Sequence, residues 1–497
     1  MSAFNLKNFN SAAKQQPILG MLIYSIVGFI RPAIYIFLLP LYLNVFSEVE
    51  YAIYDLMMIT AGLLMVFATF RLNAAMLTQY YDYYKDEALK HRFLSSLFTT
   101  SIFFAVGLII IGYFFGELAF SAIFSSEEVF FIPYGFYILI YAALSEINNV
   151  YFIFLKNEKY LSRYLFVVLF QILMVILLQF ICIIFLKMGV EGAFVGMLIA
   201  NVLTTLLILV LQKNILTLRP DGAMIRVALK FSVALIPYLL IYWGLTKGGK
   251  LVLEHNAELG TVGIFAVLMT IAGIVIIVVE ATINAVRPFL FDTFAARKQE
   301  DDKNKINLFN RLIILLPLLC IPVLILVATN IGLVTSKESY SEIARYITLA
   351  SFVSFLLVYS KMFYQQIIFV KRSDILTSLS FVVLIVMVVC LFVFVPTYKI
   401  WGVLIAMLLA NIVMAVLFYN AAQKRLPVHY NKRQVFLIPT IFFAILFCLE
   451  WVCIQYFGCS YAFFGVIQFL ILTSSLLLMN IGTVSEYKKL FVIARTD

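Results

Sequence analysis

The chain has 497 residues, of which 64% are hydrophobic, 16% aromatic and only 12% charged, with a mean hydropathy of +1.04. A soluble globule carries about 45–50% apolar and about 25% charged residues, so that class is excluded and a polytopic membrane protein is the expectation. The net charge of +10 does not point to nucleic acid, because the charges fall in alternate loops between apolar runs.

Those runs extend over about twenty residues without alternating, so the spanning elements are helices and not barrel strands. In chain order they fall at 17–46, 51–76, 94–115, 129–155, 164–186, 190–211, 231–252, 261–286, 312–333, 344–370, 375–397, 399–420, 435–457 and 460–481, fourteen spans in all. The first is too long for a signal-peptide core and lacks an A-x-A-like site after it, so it is expected to remain in the protein. Of the 36 Lys and Arg residues, 28 lie in the N-terminal segment, in the loops after even-numbered spans or in the C-terminal tail, counting Arg71 near the inner end of the second span. The opposite loops and the span ends beside them hold six: Lys187, Lys247, Lys250, Lys337, Arg345 and Lys399. Positive charge marks the cytoplasmic side, so both termini are expected there. The two longest inner loops are 80–92 and 288–310, and the first reads as an amphipathic interfacial segment. Outer loops are too short for an external domain.

The remaining two basic residues, Arg31 and Lys361, lie inside spans. Arg31 is about fourteen residues into the first span, roughly 20 Å along the helix and deep in the hydrocarbon. A charge at that depth faces a solvated path or an ion-pair partner. Asp55 and Glu146 are the candidate partners. Tyr24, Gly28 and Tyr35 share the helical face of Arg31, at offsets of three, four and seven, and would offer aromatic rings to a sugar. The fourth span carries Glu146 with Asn149 one turn on. The eighth carries a polar stripe, Glu280, Asn284 and Arg287, ending at the inner mouth. Glu280 suits proton or cation coupling, while Arg287 also fits a positive-inside anchor. The tenth span sets Ser354, Lys361 and Gln365 on one face, with Lys361 too deep for easy snorkelling.

An internal echo links the sixth and twelfth spans: Gly192, Ala200 and Asn201 recur 210 residues later as Gly402, Ala410 and Asn411. Phe166-Val-Val and Phe381-Val-Val echo in the fifth and eleventh. An offset of six spans preserves direction, so two parallel six-helix lobes are expected, residues 1–222 and 223–425, with two further helices and a tail in 426–497. Asn201 and Asn411 read as interhelical packing residues. The six cysteines have no metal-ligand spacing and His91, His255 and His429 are isolated, so neither metal nor cofactor is expected. No nucleotide-binding or hydrolase motif is present, which leaves a transporter driven by an ion gradient, the membrane potential or its own substrate gradient.

Several stretches carry a family likeness: PLYLNVFSEVEYAIYDL, FSVALIPYLLIYWGL, KLVLEHNAELGTVGIFAVLMTI and AVRPFLFD, with the small-residue span starts GVEGAFVGMLIAN and WGVLIAMLLAN. Across the first twelve spans the chain resembles the Wzx-type oligosaccharide flippases, polysaccharide biosynthesis proteins of the multidrug/oligosaccharidyl-lipid/polysaccharide (MOP) exporter superfamily. The resemblance implies two lobes around a central cavity that opens alternately to either side. It further implies translocation of an undecaprenyl-pyrophosphate-linked oligosaccharide across a bacterial inner membrane, with a polysaccharide polymerase as a partner. On that reading Arg31, Lys361 and Arg287 meet the pyrophosphate. Tyr24, Tyr35, Asn284 and Gln365 line the cavity, and Glu280, Glu146 and Asp55 are the coupling candidates. Where relatives often carry an Asp-Arg pair after the seventh span, this chain has Gly249-Lys250. The competing readings are a MATE-like drug/cation antiporter, which would want an acidic cavity, the lipid II flippase of peptidoglycan synthesis, and a membrane glycosyltransferase, which would want a large outer loop.

Overall fold

A chain with no water around its middle satisfies its backbone by helix formation, and the computed structural model is built from helices throughout its described residues, which are 34, 36–83, 85–212, 220–296, 300–335, 337–370 and 372–478. Arg31, Tyr24 and Tyr35 lie outside the described residues. In order the helices are α1 (Glu48–Ala68), α2 (Leu72–Thr78), α3 (Glu87–Ile123), α4 (Phe136–Asn157), α5 (Leu161–Phe180), α6 (Gly189–Gln212), α7 (Gly222–Val233) and α8 (Ile236–Glu254). They continue with α9 (Leu259–Ala272), α10 (Ile274–Ala296), α11 (Glu300–Thr329), α12 (Ile343–Phe369), α13 (Ser373–Tyr398), α14 (Ile400–Arg425), α15 (Ile438–Glu450) and α16 (Tyr461–Leu478).

Twelve stretches among the described residues are long and apolar enough to cross a membrane, from Glu48–Ala68 to Arg433–Tyr456. They coincide with the second to thirteenth spans of the sequence reading. Ile36–Val45 and Tyr461–Thr473 are shorter apolar helices at the places of the first and fourteenth. The protein is an all-α multi-pass membrane protein.

Several helices outrun the apolar windows. α10 continues through Phe289-Leu-Phe-Asp-Thr-Phe to Ala296 and α11 begins at Glu300, so most of the segment read as the loop 288–310 is helical. An apolar window stops at charge, whereas a helix stops only when its backbone is capped or broken. α3 likewise starts at Glu87, seven residues before its apolar run, with Asp86 as N-cap accepting from the amides of Ala88 and Leu89. Asp221 caps α7 in the same way through Ala223 and Met224, and pairs with Arg92 at 2.9 Å. α1 opens with a reciprocal capping box between Ser47 and Glu50. Its far end falls short of the expected 76: Phe70 and Arg71 take positive φ, and α2 restarts beyond them.

The chain divides into two compact units. The first is the described part of Met1–Ala266 with Ser373–Met414, and the second is Val267–Arg372 with the described part of Ala415–Asp497. In the first, glycines set the closest helix approaches. A Cβ on Gly192 would stand 3.0 Å from the Cys182 carbonyl, and one on Gly402 2.4 Å from the Phe394 oxygen. The two repeated glycines therefore do the same work, letting α6 and α14 press on the end of the preceding helix. Lys187 and Lys399, in the connections that lead into α6 and α14, both adopt positive φ. The buried Asn201 joins helices rather than facing a path: its Oδ1 accepts from Ser145, Asn148 and Gln171 at 3.2, 3.4 and 3.0 Å. In the second unit an aromatic seam locks α12 to α15, with Phe443 against Phe352 and Phe355 at 4.6 and 5.2 Å between centroids.

Candidate functional site

The polar stripes of α10 and α12, read separately from the sequence, face each other within the second unit. Lys361 Nζ lies 2.8 Å from Glu280 Oε1, and seven residues along α10 the Arg287 Nε–H donates to Gln365 Oε1 at 3.0 Å. Glu280 and Arg287 are two turns apart and Lys361 and Gln365 one, and this gives two rungs about 10 Å apart on the α10 side. Gln365 itself donates back to the Lys361 carbonyl at 3.3 Å, which fixes the amide and so the Arg287 acceptor.

Exposure separates this ladder from a buried brace. The Glu280 side chain is 51% exposed and that of Lys361 24%, and Asn284, between the rungs, is exposed as well. A stripe of charge and amide left open in a membrane span requires a solvated space in front of it. The stripe holds two cations against one carboxylate, and Arg287 leans on a neutral amide. The site therefore carries a net positive charge, with donors of the type that bind phosphoryl oxygens.

The acidic candidates of the first unit are engaged differently. Asp55 binds Lys250 Nζ through both oxygens, at 2.8 and 2.7 Å, with side-chain exposures of 16% and 8%. The sequence count put Lys250 among the basic residues of the outer side. α8 instead continues to Glu254 and turns Lys250 onto α1. The signal was present in the spacing, since Trp243 and Lys250 are seven apart on one face and the Trp243 indole donates to the Ile59 carbonyl of the same helix at 3.1 Å. Glu146, buried in α4, accepts from Asn73 and Asn149, each at 2.8 Å.

Glu254, which sequence reading passed over, is fully buried at the end of α8. It accepts from the Ser125 and Ser126 amides at 3.0 and 2.8 Å and lies 2.9 Å from His255 Nδ1. It ties the connection after α3 to the end of α8. At the opposite end of α3, Lys90 sits between Glu87 and Glu158 at 2.7 and 2.8 Å, and the Tyr80 hydroxyl donates to the same Glu158. Burial first, and the Glu158 carboxylate next, push the Tyr80 phenol above its ordinary range. Both clusters bind protein to protein at the ends of spans.

No protein-family model and no curated protein matches the sequence. Solved structures do match in fold. The lipid II flippase MurJ in an inward closed conformation superposes with a TM-score of 0.64 at 15% identity, covering 93% of this chain and 99% of that one. An inward-facing multidrug resistance MATE family transporter of the MOP superfamily gives 0.61 at 17% identity, over 78% of this chain and 96% of the other. A MOP superfamily transporter from Pyrococcus furiosus, described by the reverse polarity of its binding pocket, gives 0.61 at 18%, over 82% and 96%. The chain shares the fold of these solved structures. These identities carry the fold and not the substrate.

Within this fold, the polar ladder of α10 and α12 combines open charge with a position inside spans. Asp55 and Glu146 lie in closed contacts, so coupling through either would have to break them.

Proposed function

We propose that this chain is a flippase that moves an undecaprenyl-pyrophosphate-linked oligosaccharide from the cytoplasmic to the outer leaflet of a bacterial inner membrane, for surface polysaccharide biosynthesis. The observation that carries the reading is the open, net-positive ladder of Lys361, Arg287, Asn284 and Gln365 inside membrane spans. A pyrophosphate is the anion such a pair of cations suits, and the neighbouring amides offer donors and acceptors to sugar hydroxyls. Arg31, Tyr24 and Tyr35 are proposed as the complementary contacts of the first span. The lipid tail stays in the bilayer while two lobes open alternately to each side, and Glu280 supplies the coupling group, with Glu146 and Asp55 as the other candidates. A drug/cation antiporter would need the opposite balance of charge. The fold of the lipid II flippase covers 93% of this chain, against 78–82% for the transporters named with it.

The test is translocation of undecaprenyl-pyrophosphate-linked N-acetylglucosamine in proteoliposomes, followed by access of an external lectin. Wild-type protein is expected to expose the sugar, and Lys361→Gln and Arg31→Ala are each expected to lower the rate at least tenfold with unchanged protein level. Translocation of lipid II alone would move the reading to peptidoglycan synthesis, and uptake of cationic dyes without sugar exposure would replace it with drug antiport.

A further inference from the structure

We propose that Cys453 and Cys459, at the outer end of the thirteenth span, form a thiol pair that closes to an intramolecular disulfide by exchange with a disulfide-bearing oxidant on that side of the membrane. The inference does not depend on the substrate. It rests on the geometry of one turn and on the orientation that the basic loops predict.

The turn brings the two residues together. Beyond Glu450 the helix widens over Trp451–Tyr456, and the chain then reverses. The Phe457 amide donates to the Val452 carbonyl at 3.0 Å, Gly458 takes the left-handed conformation with φ +63°, and the Cys459 amide donates back to the Cys453 carbonyl at 2.8 Å. In helix ends closed by a left-handed residue, the side chains at the two ends of that outer hydrogen bond lie against each other. Bond lengths bound the separation: a carbonyl oxygen is about 2.4 Å from its own Cα and an amide nitrogen about 1.46 Å from its own. With 2.8 Å between those atoms, the two Cα atoms are at most about 6.7 Å apart. Disulfides bridge Cα separations of about 4.4–6.8 Å.

The same closure ends the fifth span. The helix widens over Ile181–Phe185, Lys187 takes φ +53°, and the Met188 amide donates to the Cys182 carbonyl at 3.1 Å. Met188 there stands where Cys459 stands in the thirteenth span, so the turn forms without a second thiol. The paired thiols are an addition to a closure that the backbone makes by itself.

Burial sets the order of the exchange. Cys459 is partly open, whereas Cys453 is buried at 7% exposure. The Cys459 thiolate attacks the external disulfide and expels one thiolate, and the Cys453 thiolate then attacks Cys459 Sγ and expels the other. The two protein thiols lose two protons and two electrons, and the oxidant is reduced to two thiols. The connection 457–460 carries no Lys or Arg, while Lys432 and Arg433 mark the inner end of the same span, so the pair meets the outer compartment, where disulfides persist. The bond would pin the end of the thirteenth span to the connection that leads into α16.

The test takes cells expressing the full-length protein, denatured in excess N-ethylmaleimide and digested with chymotrypsin, which cuts after Tyr456 and Phe457 and so separates the two cysteines. Mass spectrometry without reductant is expected to find the two peptides joined in most chains and freed by a phosphine reductant, with Cys182, Cys320, Cys390 and Cys448 carrying maleimide. Cys459→Ser is expected to leave Cys453 alkylated, and Met188→Cys to create a second joined pair with Cys182. Maleimide on both Cys453 and Cys459 in most wild-type chains overturns the inference, even where oxidised glutathione closes the pair in detergent. A link from either residue to a different cysteine overturns it as well. The wild-type peptide map decides the matter even if a variant folds poorly, and neither result touches the flippase reading, which stands or falls on translocation.

Discussion

Among the described residues, charged groups within the spans differ in how far they are closed off by their partners, and the difference bears on their work. Asp55 and Lys250 are closed in on each other, with both carboxylate oxygens on one ammonium. Removing one member of a buried pair strands the other, a loss of about 3–5 kcal/mol, whereas replacing both by apolar groups is often neutral. Lys250→Met alone should therefore depress the thermal unfolding midpoint of the solubilised protein strongly, and Asp55→Leu combined with Lys250→Met should recover most of it. A single variant as stable as the wild type would mean that the pair bears no load. The same contrast explains what was legible. The stripes Glu280-Asn284-Arg287 and Ser354-Lys361-Gln365 could be found because helical spacing puts their members on one face. Their mutual pairing, and the Asp55–Lys250 contact across 195 residues, could not be found, because spacing on one helix carries no information about which helix it meets.

At the scale of the element, hydropathy located the twelve described spans well and their ends poorly. The apolar core of a span is written in composition, while its ends are set by caps and by amphipathic turns beyond the membrane, as at Asp86, Asp221 and the Phe289–Ala296 extension of α10. The glycine echo between Gly192 and Gly402 was legible as a repeat but not as a contact. In the structure it proves to be a place where helix backbones touch. Gly402→Ala puts a methyl 2.4 Å from the Phe394 oxygen and is expected to cost about 1–3 kcal/mol. Gly248→Ala, in α8 with nothing within 4 Å of the new Cβ, should instead stabilise by about 0.5–1 kcal/mol through helix propensity. Chemical denaturation of the two variants side by side reads the difference. Equal effects would show that glycine at 402 is conformational convenience and not a close approach.

For the whole molecule, the distribution of charge between alternate loops predicts which way the fold sits in the membrane. The 28 basic residues of the N-terminal segment, of the loops after even-numbered spans with the span ends beside them, and of the C-terminal tail outweigh the six on the other side, and by the positive-inside rule that asymmetry predicts the orientation of every helix. Orientation matters because it sets the direction in which the α10–α12 ladder is loaded: Arg287 lies toward the end of α10 that this rule places inside, and the Glu280–Lys361 rung lies about 10 Å deeper. An anionic headgroup entering from the cytoplasm would meet Arg287 first and reach the ion pair only afterwards. Single cysteines introduced into an otherwise cysteine-free chain at Asn256, between α8 and α9, and at Arg372, between α12 and α13, should report this with a membrane-impermeant maleimide. The position-256 variant should label in intact cells and the position-372 variant only after lysis. The reverse pattern would turn the molecule over, so that the ladder would load from outside and the proposed direction of transport would fail with it.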